Sequence, residues 1–216
     1  MRWPVSGRAR AKLAETVTVP ACTWHAPRDA ASEWPRRVEI ELELKWSRSA
    51  LVLIDVWDAH PNASFRQAME WTMPALQSVL EGYRKRGKPV FHDPSGLAMH
   101  PCVLAGWSSN DRVIPWDPTG GGTAVLDGHL RELEITTIVW AGFATNLCLM
   151  SKPCGFRKML ETDWSRTHVL VRDATAAFEA AETAATRGLW DAACYEVEYY
   201  PNGYSVLAAD LLAALP

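Results

Sequence analysis

Thr136-Thr137-Ile138-Val139-Trp140 is a β-branched and apolar run that reads as the interior of a buried strand, and the chain beyond it delivers a cysteine. Gly142 breaks the run, Thr145 or Asn146 can cap a following helix, and Cys148 then falls in the first turn of that helix. Unpaired N–H groups and the positive end of the helix dipole favour a thiolate there, which is the nucleophilic form of the side chain. An inert buried thiol fits the same position, because free cysteine is among the most buried residue types. Two more strand ends carry reactive groups: Ala50-Leu51-Val52-Leu53-Ile54 runs into Asp55, and Pro89-Val90-Phe91 runs into His92. Ligands of open α/β sheets bind outside the carboxyl ends of the strands, so the convergence of Asp55, His92 and Cys148 marks a candidate site.

The elements that must position these groups follow from periodicity. Residues 1–36 carry prolines and charges without a helical period and read as an N-terminal arm lying against the domain or a neighbouring subunit. Val38, Ile40, Leu42, Leu44 and Trp46 alternate with charged residues, which predicts a half-exposed edge strand. Leu76, Val79, Leu80 and Tyr83 predict a helix starting near Thr72-Met73-Pro74 and closed by Gly87. A long irregular segment follows, then a helix over 124–134 and the strand 136–141. The Cys148 helix runs towards Thr162, with Pro153 limiting or kinking it. A strand His168–Arg172, a helix Glu179–Leu189, a strand Cys194–Tyr199 and a helix Ser205–Leu215 complete the pattern. The fold class is α/β: a doubly wound, mainly parallel sheet flanked by helices, with the arm at 1–36 and one domain over 37–216.

The 216 residues suffice for one core, and a net charge of −3 with interspersed signs excludes a nucleic-acid footprint. The five cysteines (Cys22, Cys102, Cys148, Cys154, Cys194) form no CxxC pair, so reduced thiols in the cytoplasm are expected, with no zinc knuckle and no disulfide framework. No stretch reads as a signal peptide or a membrane span, and no membrane partner is expected. Among eleven tryptophans, Trp57, Trp107 and Trp116 fall in expected loops and are candidate walls for a small planar ligand. His60 and His92, with Asp55, Asp58, Asp93 and His100, include donors that suit zinc, iron or manganese, although a hydrogen-bonded structural imidazole is the commoner use of histidine near a strand end. Residues 118–123 (PTGGGT) lack the lysine of a phosphate loop and read as a turn or lid.

Gly142-Phe143-Ala144-Thr145-Asn146-Leu147-Cys148 resembles the G-x-A-T-N-x-C signature of the isochorismatase-like cysteine hydrolases, a superfamily that includes nicotinamidases and other small amidohydrolases. The resemblance extends over roughly residues 49–215. Ala50–Asp55 is similar to the first strand with its catalytic aspartate, Asp111-Arg112-Val113-Ile114 to the segment before the catalytic lysine, and Arg172-Asp173-Ala174-Thr175 to the strand end after the cysteine helix. A closer similarity is to a branch with D-x-W-D-x-H, H-x-P-S and C-x(4)-P-x-G-x-R runs, here Asp55 to His60, His92 to Ser95, and Cys148 through Pro153 and Gly155 to Arg157.

The resemblance implies an acyl-enzyme on Cys148, with Asp55 as base and proton shuttle. It also implies a cis Phe143–Ala144 bond that aims the N–H groups of Ala144 and Cys148 at the oxyanion. The departure is the lysine: the alignment puts Trp116 in its place, and no lysine occurs between Lys88 and Lys152. Another cation (Arg157, His60 or His92) can substitute, Cys148 and Asp55 can share one proton, or catalysis is lost. The D-x-H pattern by which nicotinamidases hold a metal is absent after the second strand, so neither a metal nor another cofactor is assigned. The expected function is a cysteine hydrolase that cleaves an amide-type C–N bond of a small planar substrate, probed by Trp57, His60, His92, Trp107, Trp116, Phe143 and Arg157 around catalytic Cys148, Asp55 and Ala144. The alternative is a non-hydrolytic member that binds a ligand or assembles subunits. A metal-assisted hydrolase using His60 and His92 ranks third. Homo-oligomers are common in the superfamily, and one is expected here.

Overall fold

The computed structural model describes residues 15–25, 36–117 and 119–216. Its centre is β3 (Ser49–Ile54), fully buried along its length and paired in parallel with β6 (Thr137–Phe143) on one side and β4 (Val90–Asp93) on the other. Both faces of β3 are apolar. Leu51 and Leu53 pack towards α1 (Ala63–Lys85), while Ala50, Val52 and Ile54 pack towards the helices of the opposite layer. A strand buried on both faces has no reason to alternate, and this is why ALVLI is unbroken.

The chain winds outward twice from this centre. It first places β4 and then β5 (Asp111–Val113) beyond β3. It then returns to β6 and adds β7 (Thr167–Ala176) and β8 (Gly203–Val206) on the other side. Helices α1 and α6 (Ala208–Ala214) cover one face; α3 (Gly121–Glu132), α4 (Phe156–Thr162) and α5 (Gly188–Tyr199) cover the other. A short helix α2 (Pro101–Leu104) lies in the segment before β5. The switch point therefore falls between β3 and β6, whose carboxyl ends lead to Asp55 and to the turn carrying Cys148.

Several expected boundaries are corrected. Val17–His25, inside the expected arm, is strand β1; it pairs antiparallel with the edge strand β2 (Arg36–Leu44) and with β8. The rest of the arm, residues 1–14 and 26–35, lies outside the described residues. Helix α1 begins eleven residues before Pro74, because Asn62 caps it by accepting from the Phe65 N–H at 2.9 Å and Pro74 is accommodated inside it. The expected strand Cys194–Tyr199 is helical. Ala193, Cys194, Val197 and Glu198 bury one side of α5, and its first N–H groups at Leu189 and Trp190 are taken by the Glu179 carboxylate at 3.0 and 2.8 Å. That capping starts the helix at Gly188 and leaves the expected helix 179–189 as turns.

Gly142 is where two central strands come closest. Its φ is +113°, and a Cβ there would collide with the backbone carbonyl of Ile54. Gly142→Ala is expected to destabilise the fold by about 2–5 kcal/mol, from positive-φ strain and overpacking together. A urea midpoint unchanged from wild type would show that β3 and β6 do not approach in this way.

Candidate active site

Three of the described non-glycine residues with positive φ gather at these strand ends: Asp55 (φ 50°), Ser95 (φ 51°) and Ala144 (φ 28°). Each such conformation costs on the order of 1–3 kcal/mol and persists where the surroundings impose it, which is characteristic of functional sites. Asp55 is fully buried. Its Oδ1 accepts from Ser95 Oγ at 2.7 Å and from Lys152 Nζ at 2.8 Å, while Oδ2 is buried without a partner among the described residues.

Lys152 supplies the cation that the aligned position lacks. Its Nζ also lies 2.7 Å from Asp93 Oδ1 and donates to the Asp93 backbone carbonyl at 3.2 Å. The residue comes four positions after Cys148, from the turn that closes the Cys148 segment, where the Lys152 N–H donates to the Cys148 carbonyl at 3.0 Å. Trp116, which occupies the lysine's aligned place, instead lays its ring 5.4 Å from that ammonium. The three substitutes expected from sequence are engaged elsewhere. Arg157 pairs with Glu196 at 2.5 Å and with Ser151 at 2.8 Å. His60 stacks on Trp57 with ring centres 5.4 Å apart and packs edge-on to Phe65 and Phe178. His92 Nε2 lies 2.8 Å from Asp111, whose carboxylate also takes two bonds from Arg84.

Burial, opposed by Asp111, lowers the pKa of His92 and so favours the neutral ring. Burial pushes the other way on Asp111, but hydrogen bonds from His92, Arg84 and Ser108 hold its carboxyl well below the usual range. Trp107 stacks on the His92 ring at 4.8 Å and so belongs to this buttress. Trp57 is buried and donates to the Pro94 carbonyl at 3.3 Å. Phe143 is buried in the core at the end of β6. Trp116 is the tryptophan whose ring lies against Lys152, whereas Trp57 meets the pair through its backbone N–H, which donates to the Asp55 carbonyl at 2.8 Å. Among the described residues no group of three or more His, Cys, Asp and Glu is arranged to hold a metal ion, and no helix is long and apolar enough to cross a membrane.

The Cys148 segment also differs from expectation. Thr145–Leu149 is a single π-helical turn, with the Ala144 carbonyl accepting from the N–H groups of Leu147 and Leu149 at 2.9 and 3.1 Å. The regular helix begins only at Phe156. Neither Thr145 nor Asn146 caps it. Asn146 instead clasps Phe178, donating to its carbonyl at 3.2 Å and accepting from its N–H at 2.9 Å. No cis peptide occurs among the described residues, so the Phe143–Ala144 bond is trans and the backbone turns through the unusual Ala144 conformation.

The expected thiolate is corrected as well. Burial first, and then the charge and hydrogen bonding of Asp55, push the Cys148 thiol up to about 12; Lys152 pulls it down and Asp93 adds to the rise. Sign decides the resting form: a thiol with a raised pKa keeps its proton at neutral pH. The site therefore rests as a thiol beside a carboxylate, and nucleophilicity depends on moving that proton to Asp55.

The signal that sequence reasoning missed was Lys152, four residues after the cysteine and inside the same C-x(4)-P run. From sequence, Asp93 is named only as one of several candidate metal donors and Cys154 only as a reduced thiol; their contact with each other and that of Asp93 with Lys152 are not foreseen. Asp93 Oδ2 accepts from the Cys154 thiol, a second buried cysteine–aspartate contact on the far side of Lys152. Thr123 Oγ1 donates to the Pro153 carbonyl, tying the start of α3 to this turn. Of the expected turn or lid at 118–123, residues 121–123 open α3, where Asp117 accepts from the Gly121 N–H at 2.9 Å, and residue 118 lies outside the described residues.

Comparison with solved structures gives the same fold. An isochorismatase family protein from Burkholderia thailandensis has 21% identity and a TM-score of 0.55, covering 78% of this chain and 96% of its own. N-carbamoylsarcosine amidase from Thermoplasma acidophilum has 20% identity and a TM-score of 0.52, covering 74% of this chain and 96% of its own. The nicotinamidase of Staphylococcus aureus has 14% identity and a TM-score of 0.56, covering 74% and 97%. No protein-family model matches the sequence, and no curated protein does. The chain has the isochorismatase-like α/β fold.

Removing one partner of a buried ionic cluster leaves the others uncompensated, at a cost of about 3–5 kcal/mol. Lys152→Met is therefore expected to lower stability by about that amount at neutral pH, with Lys152→Arg recovering part of it. A chemical-denaturation midpoint for Lys152→Met equal to wild type would remove the ammonium from the centre of the site.

Proposed function

We propose that this protein is a cysteine hydrolase that opens an amide-type C–N bond of a small planar substrate through an acyl-enzyme on Cys148. The observation that carries the reading is the cluster at the switch point: a half-buried thiol beside the buried Asp55 carboxylate, whose charge is compensated by Lys152 at 2.8 Å. The names of the two amidase-type neighbours, one acting on N-carbamoylsarcosine and one a nicotinamidase, lend support to C–N hydrolysis.

As the Cys148 sulfur attacks the substrate carbonyl carbon, its proton passes to Asp55, whose unpartnered Oδ2 has room for it. A C–S bond forms and the carbonyl electron pair moves to oxygen, where the Ala144 and Cys148 N–H groups are the proposed donors. One such donor is typically worth about 2.7–4 kcal/mol of barrier. The tetrahedral centre collapses, the C–N bond breaks, and the leaving nitrogen takes the proton from Asp55. Water then adds to the thioester and gives a proton to Asp55. Departure of the sulfur releases the acid, and the proton returns to Cys148. Lys152, 2.8 Å from Asp55, limits the cost of negative charge that moves between sulfur and Asp55. Trp116, beside the ammonium, is the aromatic wall on which a planar substrate can lie.

Two readouts of opposite sign test this. Ammonia release from small primary amides, nicotinamide and N-carbamoyl amino acids among them, should fall by at least about 10³-fold in Cys148→Ala and comparably in Asp55→Asn. Iodoacetamide labelling of Cys148 near neutral pH should be slower than for a free thiol in wild type, and should accelerate in Asp55→Asn because the carboxylate that raises the thiol pKa is gone. Hydrolysis that survives Cys148→Ala would sink the acyl-enzyme, and binding of these amides without ammonia release would favour the non-hydrolytic alternative.

A further inference from the structure

Nucleophile, base and oxyanion donors leave Asp93 and Cys154 without a role, yet both are buried against the same cation. Asp93 is 2% exposed and Cys154 is 3% exposed. The Asp93 side chain is fully engaged in the site: Oδ1 lies 2.7 Å from Lys152 Nζ, and Oδ2 accepts from Cys154. Its neighbour Ser95, two residues on, donates to Asp55 at 2.7 Å, so one strand end contacts both sides of the Asp55–Lys152 pair. Cys154 has a stable seat for this contact, over Gly122 and Ile114 at the start of α3.

We propose that Asp93, oriented by Cys154, is a positioning residue that holds Lys152 between two carboxylates and supplies the second negative charge that keeps the resting proton on Cys148. The proposal deepens the hydrolase reading and rests on its assignment of Cys148 and Asp55. The charge balance is explicit. The charges that act on the Cys148 thiol are, in falling order, Asp55 just after β3, Lys152 from the cysteine's own turn and Asp93 at the end of β4, and Lys152 bridges the two carboxylates at 2.8 and 2.7 Å. Lys152 is faced by Asp55, Asp93 and the Trp116 ring, with Cys154 beyond Asp93. Two carboxylates against one ammonium leave an excess negative charge, and a thiolate would add another. Without Asp93 the ammonium belongs to Asp55 alone, and a thiolate beside that neutral pair is easier to form. Nothing is oxidised or reduced; the only species that moves is the proton.

The test is the pH profile of Cys148 alkylation by iodoacetamide on the full chain, read by peptide mapping, with thermal unfolding recorded for each variant. Asp93→Asn is expected to lower the thiol midpoint by about half a pH unit, which is about a threefold faster reaction at any pH below both midpoints. Asp93→Glu should return the rate towards wild type, and Cys154→Ser, which keeps a donor, should leave the profile unchanged. In the Asp55→Asn background the midpoint already lies lower, and adding Asp93→Asn should displace its inflection down again, a displacement that altered access to the thiol does not produce. Asp93→Ser is the second neutral variant should Asp93→Asn fail to fold. Folded neutral variants with the wild-type profile overturn the proposal. Because alkylation needs no turnover, a displaced profile stands even if Cys148→Ala retains ammonia release. That combination would defeat the hydrolase reading alone.

Discussion

One buried ammonium holds this site together. Lys152 Nζ sits 2.8 Å from Asp55 and 2.7 Å from Asp93, two carboxylates at the ends of neighbouring parallel strands that would otherwise repel each other in a medium that screens poorly. Most of the unusual local features serve to bring that ammonium there. Gly155 lets the chain fold back beneath the Cys148 turn, since a Cβ at that position would lie 2.6 Å from the Leu149 carbonyl. Thr123 holds Pro153, the next residue, from the start of α3. Asn146 fixes the other end of the turn by bonding both backbone groups of Phe178. The cysteine is thus mounted on a short segment pinned at both ends, and the cation belongs to the same segment.

That arrangement decides which acid–base chemistry is available. A cysteine at the start of a regular helix would be helped to ionise by the dipole. Here the π-turn is a single turn, and the nearest fixed charges include two carboxylates, so the thiol keeps its proton. In the proposed mechanism, the pair Cys148–Asp55 is then an acid and its base awaiting an electrophile.

The central strands, and with them the placing of Asp55 and Cys148 at neighbouring strand ends, were legible in the sequence, for a physical reason: a strand buried on both faces must be an unbroken apolar run, and its end must be punctuated. ALVLID and TTIVWAG show both properties. The edges were less legible. CYEVEYY reads with period two, yet helix α5 forms there because Glu179, about ten residues earlier, neutralises its N-terminal N–H groups, and no local pattern announces a cap from that distance. The true start of α1 was hidden by Pro74, which sequence reasoning treats as a helix beginning although an established helix can carry it. Lys152 escaped because the resemblance directs attention to the segment after β5, where Trp116 stands.

In the proposed mechanism, a cation placed at Lys152 shows what the chemistry requires. An ammonium acts on Asp55 and Cys148 through distance and burial, not through the strand it hangs from, so it can arrive from any element whose side chain reaches the switch point. Once it comes from the cysteine's own turn, the place it leaves after β5 is open to a residue that tolerates a nearby cation. An indole suits this: its face attracts the ammonium without competing for its proton, and Trp116 lies 5.4 Å from Lys152 Nζ. The change also moves the ammonium within reach of Asp93. There the ammonium is shared between two carboxylates, 2.8 Å from Asp55 and 2.7 Å from Asp93. Cation placement and the presence of a second carboxylate are therefore a single feature of this site.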